Sequence, residues 1–160
     1  MASTFVKKLP STAYYGIRAP GNWYRDMRQD VELLRKHDRF STCITVILSC
    51  LDALAAGTGI ASSGKFERFV KQHLPALCAD LDGTVTGKSG AHVLYDMFRN
   101  GFAHTRGPKS GFATGDNSEL EGHWAGILDV EGKGRLVAIN AILFIDAFLR
   151  LITDLENRAA

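Results

Sequence analysis

Ile44-Thr45-Val46-Ile47-Leu48 lies inside a longer segment, from about Asp38 to Ala56, that is apolar on nearly every side when wound as a helix. A helix without a polar face has to be covered by neighbours all round. The segment therefore predicts a central helix with other helices packed about it. Gly57 is placed to end this helix, and Asp38 or Ser41 to cap its start.

The neighbours can be read from helical spacing. Trp23, Met27, Val31 and Leu34 recur at steps of four, four and three, which predicts a first helix starting near Asn22. Phe66, Phe69 and Val70 predict a third helix after a Gly57–Gly64 loop and before Pro75. A fourth runs from about Ser89 to His104, and a last one starts at an Asn140 cap and carries Ile142, Ile145, Phe148, Leu149 and Ile152 inward. Residues 1–20 hold Pro10 and Pro20 and no clear period, so they are expected to form an irregular arm. Gly107 to Gly122 is expected to be a long loop. Gly132-Lys133-Gly134 separates two apolar runs, near residues 123–139, that read as a small β-hairpin. The expected fold class is mainly α, a helical bundle over residues 21–160 with that hairpin appended.

With 160 residues, 46% of them hydrophobic and 22% charged, the chain has globular composition and the length of one domain. A net charge of +2 permits contact with phosphate but lacks the basic stripe of a dedicated duplex-DNA binder. Cys43, Cys50 and Cys78 are an odd number and imply no disulfide framework, which points to a reducing compartment. Neither Ile44–Ala56 nor Ile142–Ile152 is long enough to span a bilayer, and Asp52, Asp146 and Arg150 interrupt them. The first residues hold no apolar run of signal-peptide length, so the expected compartment is the cytoplasm.

Several chemistries lack their residues. Gly83-Thr84-Val85-Thr86-Gly87-Lys88-Ser89 has three residues between its glycines where a phosphate-binding loop has four, and a helix is expected before it rather than a strand. His37, His73, His92, His104 and His123 show no paired ligand spacing, and no two cysteines have zinc-site spacing, so no metal or cofactor is expected. There is no recognisable setting for a nucleophilic serine or cysteine.

What remains is Leu94-Tyr95-Asp96-Met97-Phe98-Arg99-Asn100-Gly101-Phe102-Ala103-His104. Leu94, Met97, Phe98, Gly101 and Phe102 form the core-facing stripe, and Arg99, Asn100 and His104 fall outside it. Asn100 and His104 are four apart and share a face. Arg99 and His104 are five apart, about 140° around an ideal helix, so they splay unless the helix distorts or a second copy completes the site.

Arg99-Asn100-Gly101-Phe102-Ala103-His104 resembles the Arg-polar-x-x-x-His signature of the HEPN (higher eukaryotes and prokaryotes nucleotide-binding) domains. The resemblance covers little more than these six residues. It implies a helical bundle and, as in the family's catalytic members, a homodimer or pseudo-dimer that brings two such motifs together to cut RNA without a metal. A tyrosine that some toxin members carry two residues after the histidine is replaced here by Arg106. In that reading Arg99, Asn100 and His104 are catalytic, and Arg106 and Lys109 contact the substrate. RNA is the expected partner, and a regulatory or antitoxin partner would be a further one.

The residue types suit the chemistry. RNA brings its own nucleophile, the 2′-hydroxyl, so the protein has only to move protons and stabilise charge on phosphorus. Histidine moves protons near neutral pH, and arginine offers phosphate a permanently charged planar fork. The competing reading is a non-catalytic helical dimerisation or ligand-binding module. In that case His104 is half-buried and bonded to a backbone carbonyl, and Arg99 is paired with Asp96 or Tyr95 on its own helix.

Overall fold

A computed structural model describes residues 20–57, 61–105 and 107–160. The irregular arm expected for the first twenty residues falls outside this range except for Pro20, where helix α1 (Pro20–Lys36) already begins. Proline suits the first turn of a helix because its missing N–H would have no partner there. α2 (Phe40–Ala56), α3 (Ser63–His73) and α4 (Pro75–Leu81) follow. A longer helical stretch comes next, made of α5 (Gly90–Val93), a π-helical turn (Leu94–Arg99) and α6 (Asn100–Thr105). The rest is β1 (Phe112–Gly115), α7 (Asn117–Leu120), β2 (Ala125–Val130), β3 (Gly134–Asn140) and α8 (Ala141–Ala159). The fold is mainly helical with a small sheet, the class the sequence predicts.

α2 is the central helix. It touches α1, α3, α6 and α8, and it buries Cys43, Ile44, Ile47, Leu48, Cys50 and Leu51. Met27 and Val31 of α1 and Phe144, Ile145, Phe148 and Ile152 of α8 meet it in one core. α8 lies along α1, and two ion pairs close that seam, Arg28–Glu156 at 2.8 Å and Arg35–Asp146. Ser62, Ser89 and Asn140 cap α3, α5 and α8. α2 is not capped as expected: its N-cap position is Arg39, which makes no side-chain cap bond. Asp38 sits one residue earlier with φ 53, turning the chain out of α1, and Ser41 is already inside the first turn. Gly57 ends α2 with φ 77, as expected.

The hairpin is real but is only part of a sheet. β2 and β3 pair antiparallel from Ala125↔Ile139 to Val130↔Gly134, and β1 adds to the far side of β3 in parallel, Phe112↔Val137 to Gly115↔Asn140. The expected 107–122 loop thus holds a strand, and it also holds α7, which a complete capping box starts: Asp116 accepts from Ser118 and Glu119, and Glu119 accepts from the Asp116 N–H. The sheet is tied to the bundle at Asn140, which is wholly buried. Asn140 caps α8 through Leu143 N–H at 3.1 Å, donates to Asn117 and to the His123 carbonyl, and gives its own N–H to Trp124 O.

Candidate functional site

The segment that carries the motif is not a uniform α-helix. Between Leu94 and Arg99 it widens to π geometry, and the Asn100 N–H bonds back to Tyr95 O, five residues earlier. Such turns shift side chains out of the usual register and recur at functional positions. The π turn ends at Arg99, so the Arg99-to-His104 interval is still α-helical and keeps the splay expected for its spacing.

Arg99 reaches across to α2. Its Nε donates to Asp52 Oδ2 at 2.7 Å, its Nη2 donates to the same oxygen, and its Nη1 donates to Asn100 Oδ1 at 2.7 Å. The guanidinium lies 5.3 Å from the Tyr95 ring centroid, so it is also backed by an aromatic face. The pair is largely removed from water, with side-chain exposures of 12% for Arg99 and 9% for Asp52. Asp52 Oδ1 is buried without a partner. Asp52 was missed as a site residue because it reads only as an interruption of an apolar helix. A charge in that setting, on the most buried helix, signals that a partner must come from elsewhere in the fold.

Of the two same-helix partners considered for Arg99, Tyr95 is in contact and Asp96 is not. Asp96 instead bridges Lys88 and Lys109, each at 2.8 Å. Hydrogen bonds from the two ammonium groups hold its carboxyl well below the usual carboxylate range. Lys109, the expected substrate contact, is thus engaged in the fold: its side chain pairs with Asp96 and its N–H donates to Met97 O at 2.9 Å. The chain leaving α6 therefore folds back over the π turn. Gly101 permits this, because a Cβ there would lie 2.6 Å from Lys109 N and 2.7 Å from Gly107 O. Arg106, the other expected substrate contact, lies outside the described residues.

His104 is exposed, close to the end of α6, and its side chain makes no hydrogen bond to any described residue. The expectation of a half-buried histidine bonded to a carbonyl is not met. A small groove of about 210 Å³ separates α2 from α6, with Asp52, Arg99, Thr45, Ser49, Phe102 and Ala103 among its walls. The structure thus brings Arg99 and Asn100 together and adds Asp52 to them. It leaves His104 on the outside of α6, bonded to neither.

The three thiols offer no alternative chemistry. All are buried, and burial pushes Cys43 and Cys78 up to about 11 and Cys50 up to about 12, where a thiolate does not form at neutral pH. Gly83–Ser89 is a turn between two helices rather than a loop after a strand, so it lacks the strand-to-helix geometry that cradles phosphate. No helix among the described residues is long and apolar enough to cross a membrane. No protein-family model, curated protein or solved structure matches the chain.

Proposed function

We propose that the chain is a HEPN-like, cytoplasmic, metal-independent endoribonuclease that works as a homodimer, with His104 as the proton-transfer residue and Arg99 and Asn100 as the phosphate-facing pair. The observation that carries this reading is the exposed, unengaged imidazole of His104 one helical turn from Asn100. A histidine whose side chain has no partner among the described residues, on the same helix as an arginine that the fold holds in place, suits phosphodiester chemistry.

In the proposed reaction, one histidine takes the 2′-hydroxyl proton as that oxygen attacks phosphorus. The P–O2′ bond forms and the P–O5′ bond breaks. A second acid returns a proton to the departing 5′-oxygen, leaving a 2′,3′-cyclic phosphate and a 5′-hydroxyl. Arg99 and His104 of one chain splay by about 140°, so each centre pairs the His104 of one copy with the Arg99 of the other, and solvent serves as the second acid. Asp52 grips the Nε edge of Arg99, so the fork has N–H groups left over for phosphate oxygens.

A second reading rests on a specific observation, the mostly buried Arg99–Asp52 pair. Its geometry suits an arginine whose task is to join α2 to α6, in a non-catalytic dimerisation or ligand-binding module. The two readings part on single-stranded RNA incubated with the purified protein in EDTA. Cleavage with cyclic-phosphate ends, abolished in His104→Ala, supports the nuclease. Equal background from wild type and His104→Ala sinks it in favour of the module.

A further inference from the structure

α8 is lined with charges, and most of those facing α1 are engaged: Asp146 by Arg35 and Glu156 by Arg28. Arg150 and Asp154 break the pattern. They are exposed, four residues apart on the same helix, and carry opposite charges, yet they pair neither with each other nor with any other described residue. Both border a cleft of about 380 Å³ that lies between α8 and the corner where α3 meets α4.

The cleft has a fixed apolar side. Leu74 is buried beneath it, Leu151 contributes from α8, and half-buried Trp124 closes one end. Trp124 is held at both ends of its peptide: its N–H donates to Asp80 at 2.8 Å and its carbonyl accepts from Asn140 N at 2.8 Å. His73 faces the same space and packs on the Phe69 ring at 4.4 Å. Burial, and behind it the charge of Arg158, lowers its pKa below the ordinary histidine value and disfavours the charged imidazole. Arg150 and Asp154 are the basic and acidic side chains that line the cleft, one of each sign, with the charge of Arg158 felt at its His73 wall.

We propose that this cleft binds a small zwitterion bearing an apolar group, of the α-amino-acid class, with its carboxylate on Arg150, its ammonium on Asp154 and its side chain against Trp124 and Leu151. The charge balance selects the class. A phosphate or other anion would meet Asp154, and a polyamine or other cation would meet Arg150, whereas a zwitterion satisfies both. The apolar group covers aromatic and aliphatic surface that water otherwise wets. The site stands apart from the Arg99–His104 helix and does not depend on the nuclease reading.

The test uses L-leucine as probe and the indole N–H signals of the full chain in a nitrogen-15 NMR spectrum. Trp124 reports the cleft, and Trp23, on α1, serves as the internal control. The expected result is a saturable shift of the Trp124 signal alone in the millimolar range, weakened about tenfold in Arg150→Ala and in Asp154→Ala because each loses one charge-assisted hydrogen bond. Both positions are exposed, so the variants retain the fold. N-acetyl-L-leucine and L-leucine amide, each lacking one charge, are expected to bind correspondingly less well. No shift at tens of millimolar leucine, a shift unchanged in both variants, or equal binding of the singly charged analogues would overturn the proposal.

Discussion

At Arg99 the residue that the nuclease reading needs is also the residue that neutralises Asp52. Removing one partner of a mostly buried ion pair leaves the other charged and poorly solvated, which costs about 3–5 kcal/mol. Arg99→Ala is therefore expected to lose about that much stability in urea unfolding, and Arg99→Ala with Asp52→Asn to recover part of it. An Arg99→Ala protein without activity would then say little about catalysis. Arg99→Lys keeps a cation for Asp52 but removes the planar fork, so it isolates the phosphate role. A similar distinction applies at Asp96, where the latch on Lys109 has a pH signature. Its carboxyl is depressed in the fold, so its contribution is present in full above the ordinary carboxylate range and fades as pH falls below about 4. The difference in Tm between wild type and Asp96→Asn is expected to shrink steadily on acidification from there. A difference that stays constant down to pH 2 would mean that the two lysines do not stabilise the ionised form.

Among the elements, those with strong local signals were legible in the sequence. The apolar girth of α2, the inward stripes of α1 and α8, the cap at Asn140 and the Gly132–Gly134 turn are all patterns among residues near one another in the chain. β1 was not, because Phe112-Ala113-Thr114-Gly115 is too short to show alternation and exists through parallel pairing with β3, more than twenty residues on. α7 was missed for a different reason: its Asp116/Glu119 box was there to be read, but the glycines around it suggested slack. The π turn has no simple sequence signature. In the candidate site, the splay of Arg99 and His104 followed from spacing alone, whereas the Asp52 contact spans 47 positions and depends on how α2 meets α6. Gly101 tests the packing of that region. Gly101→Ala forces a Cβ into the returning backbone at Lys109, an overpacking expected to cost about 1–3 kcal/mol and to speed exchange of the Lys109 amide proton. Unchanged exchange would show that the return segment can move aside freely.

For the whole molecule the decisive quantity is how many chains make one site. Arg99 is turned toward α2 and His104 outward, about 140° apart on an α-helical interval, so a centre using both would take its arginine from one copy and its histidine from another. That arrangement predicts complementation. His104→Ala and Arg99→Lys chains should each be inactive as homodimers, since every site in them lacks a member. Mixed and allowed to exchange, half of the dimers become mixed, and each mixed dimer has one wild-type site out of two, the other carrying both defects. Activity should therefore return to about a quarter of the wild-type level, with no recovery from either variant alone. The return should follow subunit exchange and disappear on dilution below the dimer dissociation constant. If the exchanged mixture stays as inactive as its components, the shared-site geometry is wrong. Arg99 would then belong with Asp52 to the joint between α2 and α6, and any chemistry at His104 would have to be accounted for without it.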